Sequence, residues 1–157
     1  MLGTRHVGIV VYDITSSKKF YEGLGFKSEQ QPKLETGQNI SNVLGFEKAT
    51  ILTLKMILNE NNFSLWREGG FRLELIQYLE PVNHTTPSQI NNIVGKAHLS
   101  FSVANLEDSL SEIVRLGGSV PFPSRKTQDG RHTMVYAVDP NGVPLELISC
   151  KDKSLHN

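Results

Sequence analysis

The chain carries two segments that read alike, and that repeat limits its architecture more than any other feature. His6-Val7-Gly8-Ile9-Val10-Val11-Tyr12-Asp13-Ile14 recurs as His98-Leu99-Ser100-Phe101-Ser102-Val103-Ala104-Asn105-Leu106, offset by 92 positions throughout. A second pair follows: Leu73-Glu74-Leu75-Ile76 recurs as Leu145-Glu146-Leu147-Ile148 at an offset of 72. A sequence-level repeat defines the structural unit before any residue is interpreted. Here the unit is a strand, a helix, and further strands that end in Leu-Glu-Leu-Ile. The first copy is 20 residues longer between its marks, and the polar, glycine-containing stretch 30–48 is the expected site of the excess.

Local signals fill in each unit. The first strand of each copy alternates and closes on an Asx residue, after which a helix is expected. Asp13 or Thr15 is placed to cap the first helix and Asn105 the second, because a short side-chain oxygen can accept a bond from an unpaired first-turn amide. Leu24-Gly25 and Leu116-Gly117 end these helices, since glycine tolerates the left-handed conformation that closes many of them. Residues 49–58 read as one strand and Asn59–Asn62 as a turn. His132–Val138 and Val143–Ser149 read as a hairpin around Asp139-Pro140-Asn141-Gly142. The stretch Glu80–Gly95 is a connector, with a short helix expected over Ser88–Val94. The expected division is a first module over 1–80, a linker over 81–95, a second module over 96–150 and a tail over 151–157.

Strand alternation then decides which side chains share a face. Val7, Ile9 and Val11 point one way, and His6, Gly8 and Val10 the other. Leu99, Phe101 and Val103 oppose His98, Ser100 and Ser102. The apolar faces are expected to pack on the helices through Phe20, Tyr21, Leu24, Leu110, Ile113 and Val114, leaving each histidine on the opposite side. Glu74 and Glu146, each flanked by two leucines, oppose the apolar face by the same rule. A carboxylate in an apolar strand is costly unless solvated, paired or metal-bound. One such glutamate ordinarily faces water. Two at matched repeat positions, accompanied by two matched histidines, point to one site. Two imidazoles and two carboxylates suit a borderline divalent ion such as Ni, Zn, Fe, Co or Mn. His84, His132 and His156 are expected to be surface residues.

Composition narrows the partners. Lys+Arg and Asp+Glu are 16 each, so the chain has no net charge and builds no broad positive field for nucleic acid or an anionic membrane. The single cysteine, Cys150, leaves no intrachain disulfide and suits a reducing compartment. No stretch approaches the roughly 20 apolar residues that span a bilayer. The opening MLGTRHVGIVV lacks the pattern of a secretory signal. A cytoplasmic protein with a small-molecule substrate is expected.

These residues resemble the vicinal oxygen chelate superfamily, which includes glyoxalase I, methylmalonyl-CoA epimerase, extradiol dioxygenases, fosfomycin-modifying enzymes and bleomycin-resistance proteins. The resemblance rests on His6-Val7-Gly8-Ile9, Phe20-Tyr21 with Leu24-Gly25-Phe26, Leu73-Glu74-Leu75, Ala97-His98-Leu99-Ser100-Phe101, and Asp139-Pro140-Asn141-Gly142 with Leu145-Glu146-Leu147-Ile148. It implies an α+β fold of two tandem βαβββ modules forming an open, barrel-like sheet around a metal cleft. It also implies a homodimer and one divalent metal ion on His6, Glu74, His98 and Glu146. Two positions depart from bacterial glyoxalase I: Val10 stands where an arginine is usual, and Tyr78 where an asparagine is usual. The implied activity is that of a metal-dependent lyase or isomerase working on a small carbonyl compound, with Glu146 as proton-transferring base and Glu74 as second choice. A ring-cleaving dioxygenase and a non-enzymatic ligand-sequestering protein are the alternatives. Tyr78, Met134, Tyr136 and Arg131 are the candidates for lining the substrate pocket.

Overall fold

In the computed structural model, described for residues 5–58, 70–83, 85 and 92–150, the chain divides into two units, Met1–Thr85 and Thr86–Asn157. The first holds β1 (Val7–Val10), α1 (Ile14–Gly23), β2 (Lys27–Ser28), β3 (Lys33–Thr36), α2 (Gln38–Leu44), β4 (Thr50–Leu58) and β5 (Phe71–Glu80). The second holds β6 (Leu99–Val103), α3 (Leu106–Arg115), β7 (Arg125–Lys126), β8 (His132–Val138) and β9 (Pro144–Cys150). Each unit forms its own sheet. The orders are β1-β5-β4-β2, with β3 also pairing to β4, and β6-β9-β8-β7. Setting β3 and α2 aside, both follow one plan: the first strand runs parallel to the last, and the other pairs are antiparallel. The fold is thus α+β with two open sheets, as the repeat requires.

The helices form where the capping chemistry places them. The Ser16 amide donates to Asp13 Oδ1 at 2.7 Å, so Asp13 rather than Thr15 caps α1. Asn105 Oδ1 accepts from the Glu107 and Asp108 amides at the start of α3. The chain leaves α1 through Gly25 at φ 97° and α3 through Gly117 at φ 93°, a region that L side chains rarely adopt. Gly118 has a steric role: a Cβ there would lie 2.7 Å from both Ile113 Cγ2 and the Val138 carbonyl oxygen. Its absence lets the end of α3 approach β8 closely.

The Asp13 cap gives a pH-dependent stability. Hydrogen bonds from Ser16, its amide first, hold the Asp13 carboxyl below its ordinary range. A depressed folded-state pKa means that the stabilisation is complete above the unfolded value of about 3.9 and is lost as pH falls through the lower folded value. Asp13→Ala is expected to cost about 1 kcal/mol at neutral pH. Chemical denaturation should show that gap closing below about pH 4, and an undiminished gap at pH 2 would contradict the cap.

Apolar burial follows alternation with two exceptions. Tyr21, Leu73, Leu75, Leu145 and Ile113 are fully buried, and Phe20, Leu99 and Leu147 nearly so. Helix α1 packs on β4 and β5, and α3 on β8 and β9. Val7 and Val114, expected against the helices, are exposed. β1 is an edge strand and Val7 lies at its start, where helix cover has not begun. Val114 lies on the side of α3 away from buried Ile113.

The extra length of the first unit is divided. The β3–α2 excursion over 33–44 falls inside the expected stretch. Ser41 anchors it by accepting the Ala49 amide at 2.9 Å and donating to the Gly37 carbonyl at 3.0 Å. The remainder lies in the β4–β5 connection, which spans 59–70 against 139–143 in the second unit. The expected turn at Asn59–Asn62 lies outside the described residues, as do His84, His156 and residues 88–91 of the expected short helix; residues 92–95 are turn rather than helix. The β8–β9 turn is built by Asp139, whose Oδ1 accepts the amides of Asn141 (2.8 Å) and Val143 (2.7 Å). Among the described residues, no helix is long and apolar enough to cross a membrane.

Candidate functional site

Each unit places its predicted histidine and glutamate side by side on one face of its sheet. In the first, β1 and β5 pair with Gly8 opposite Glu74, so His6, two residues before Gly8, shares the Glu74 face. His6 Nε2 lies 3.0 Å from Glu74 Oε2. In the second, Ser100 pairs with Glu146, and His98 Nε2 lies 3.6 Å from Glu146 Oε2. Both glutamates are largely buried, at 15% and 13% side-chain exposure, whereas the histidines are 35% and 46% exposed. Each carboxylate therefore sits in the sheet with its imidazole at the rim. Within each unit, no third His, Cys, Asp or Glu among the described residues joins the pair.

The donor chemistry fits a divalent metal. Two ligand atoms about 2.1 Å from one ion are about 3.0 Å apart at a right angle and about 3.4 Å apart in a tetrahedron. The observed separations, 3.0 and 3.6 Å, are close to those values. A hydrogen-bonded ion pair has similar dimensions, so distance alone does not separate the two. Both units build the same pair at the same register position.

The surroundings of the two glutamates differ. Glu146 accepts a hydrogen bond from Ser100 Oγ at 2.8 Å. It stands opposite Tyr136 across β8–β9. Burial, then the Glu146 charge, push the Tyr136 phenol up. Tyr136 also meets the His98 ring edge-on, with centroids 5.5 Å apart. In the first unit the equivalents are Gly8 and Lys55, so Glu74 receives no hydroxyl from those positions.

The four predicted pocket residues separate. Tyr136 touches the site, and Met134 lies on its face two residues along β8. Tyr78 lies on the Glu74 face of β5 but packs against Phe46 at 5.8 Å. Arg131 is tied to Asp129 at 3.0 Å in the β7–β8 loop. Sequence reasoning placed Ser100 on the correct face without seeing its bond to Glu146. It missed Arg5, Glu29 and Arg72, which with His6, Lys55 and Leu73 line a pocket of about 330 Å³ in the first unit. His132, expected at the surface, is half-buried at the start of β8, where it pairs with Cys150 in register.

Residues 5–137 match the family model described as the glyoxalase/bleomycin resistance protein/dioxygenase superfamily. No curated protein matches the sequence. Among solved structures, a glyoxalase family protein from Bacillus cereus is similar with a TM-score of 0.78 and 20% identity, over 96% of this chain and 95% of that one. The fosfomycin resistance protein FosX from Listeria monocytogenes is similar with a TM-score of 0.58 and 11% identity, over 100% and 99%. Glyoxalase I from Zea mays is similar with a TM-score of 0.59 and 18% identity, over 94% of this chain and 44% of that one. At these identities the structural likenesses establish the fold alone.

Proposed function

Because the chain belongs to the glyoxalase/bleomycin resistance protein/dioxygenase superfamily, we propose that it is a metal-dependent lyase or isomerase that moves a proton beside the carbonyl of a small substrate. The observation that carries this reading is the repeated pair: one imidazole and one carboxylate at the same register in each unit. His6, Glu74, His98 and Glu146 would hold one divalent ion, and the whole chain is then a single vicinal oxygen chelate domain. When bound, the ion supplies Lewis acidity toward substrate oxygens.

The chain supplies the proton chemistry. Glu146 is the base: its carboxylate takes the proton from the carbon next to the carbonyl and returns it to the neighbouring position. Ser100 orients Glu146 by donating to it, Tyr136 stands opposite it across the ladder, and burial of the carboxylate keeps competing water away. Glu74, without equivalent hydroxyl donors, is suited to a ligand role first and to a second base only where substrate geometry favours it.

The direct test is solvent deuterium incorporation next to the carbonyl, with metal-loaded protein screened against 2-oxo acids, hemithioacetals and acyl-CoA thioesters. Exchange with at least one class is the expected result. No exchange, together with oxygen consumption by iron-loaded protein supplied with a catechol, would replace this reading by a ring-cleaving dioxygenase.

A further inference from the structure

Among the described residues, the first unit carries two cations without an ion-pair partner, and they line one pocket. Arg5, His6, Glu29, Lys55, Arg72 and Leu73 bound a cavity of about 330 Å³, near the lower end of the size range of ligand sites. Three of its polar groups are committed: Arg72 Nε is paired with Glu29 Oε1 at 3.3 Å, and His6 lies against Glu74. Arg5 and Lys55 make no ion pair and no side-chain hydrogen bond among the described residues.

The position of Lys55 makes this informative. It stands directly opposite Glu74 in the β4–β5 register, so both side chains leave the sheet on one face. A lysine in that place could neutralise Glu74 at little cost, yet its ammonium lies beyond ion-pair distance. The equivalent position in the second unit is Tyr136, a neutral phenol. The repeat thus keeps the glutamate and replaces a neutral donor by a cation that the carboxylate does not consume. With Arg72 and Glu29 offsetting each other, the pocket retains the charges of Arg5 and Lys55. An arginine fork and a lysine ammonium are the two side chains suited to a carboxylate or phosphate group.

We infer that this pocket is an oxyanion subsite, holding a carboxylate or phosphate of the substrate through Arg5 and Lys55 beside the His6–Glu74 pair. The inference deepens the proposed function, since it assigns an anionic group to the substrate of that site.

The test is calorimetric titration of the full chain with inorganic phosphate and, separately, with malonate at constant ionic strength, before and after EDTA treatment. Phosphate or malonate should bind, and EDTA should leave most of that affinity in place. Arg5→Gln and Lys55→Gln should each weaken binding roughly tenfold or more, as expected for a lost hydrogen bond to a charged group. Lys55→Arg should retain it, and Arg131→Gln, in the β7–β8 loop, should leave it unchanged. The tighter of the two anions identifies the group recognised. Absence of binding by wild-type protein overturns the inference, as do equal affinities in wild type and both Gln variants. Binding that disappears with EDTA and ignores both variants also overturns it, because the anion would then belong to the metal. If the protein binds no metal but still binds phosphate through Arg5 and Lys55, the proposed function fails while the subsite stands.

Discussion

Glu146→Gln should lower turnover by roughly 10²–10⁴-fold, the range that general acid–base catalysis contributes, while leaving the KM nearly unchanged. Glutamine preserves the shape of the side chain and an oxygen that can accept from Ser100, but it cannot take a proton. Glu146 is also a proposed ligand, so the measurement belongs at saturating metal, where weakened metal binding is compensated by mass action. The same assay separates the two carboxylates. Glu74→Gln at saturating metal should retain more activity than Glu146→Gln; the reverse order would move the base to Glu74. Tyr136→Phe should fall between wild type and Glu146→Gln, because it removes the hydroxyl opposite the base and beside the His98 ring and leaves the base itself. A Glu146→Gln variant that keeps more than a tenth of wild-type turnover would remove Glu146 from the base role.

The second large effect is on thermal stability. A metal that binds only the folded chain stabilises it by about 2.7 kcal/mol at a free concentration 100 times its Kd. For a chain of this size that corresponds to roughly 5–10 °C in melting temperature. Wild-type protein titrated with Ni, Zn, Co, Mn or Fe(II) should show such a rise with at least one ion and should hold close to one ion per chain. His98→Ala should abolish most of the rise. Without metal the same variant should melt close to wild type, since a half-exposed imidazole 3.6 Å from its carboxylate contributes little to stability by itself. That contrast separates a ligand from a structural ion pair: a pair with no metal role would give a flat titration in wild type, and His98→Ala would change nothing. His6→Ala provides the matching measurement in the first unit.

Much of the fold was legible because two periodicities coincide with two physical rules. The 92-residue recurrence identified the unit, and the unit dictated strand–helix–strand order. Asp13, Asn105, Gly25 and Gly117 marked helix boundaries because a helix end must satisfy its amides and must turn. Alternation placed His6, Glu74, His98 and Glu146 opposite the apolar faces of their strands, since a strand side chain has only two faces to choose from; the β1–β5 and β6–β9 registers then paired them. The site is correspondingly half legible. Its four named residues came from pattern, and the structure brings them together as one pair in each unit.

What alternation does not contain is the neighbour across the ladder. Tyr136 and Lys55 lie on predicted strands, yet their places opposite Glu146 and Glu74 follow from the β8–β9 and β4–β5 registers. A one-residue change of register sends every side chain to the other face, and loops and bulges as well as the strand sequence set that register. The β4–β5 ladder shifts register between Thr50 and Ile51. Arg5, Glu29 and Arg72 converge from three separate segments, and the Arg72–Glu29 pair spans 43 positions of sequence. Val7 and Val114 read as core and are exposed, because an apolar residue is buried only where another element covers it. The sequence by itself determined the repeat, the elements of its recurring unit and the face on which each catalytic candidate lies, since these depend on local chemistry and period. Only the tertiary structure showed β3 and α2, and only it decided that Ser100 holds Glu146 and which cations stay unpaired among the described residues beside Glu74, because those contacts depend on registers and segments that no local pattern encodes.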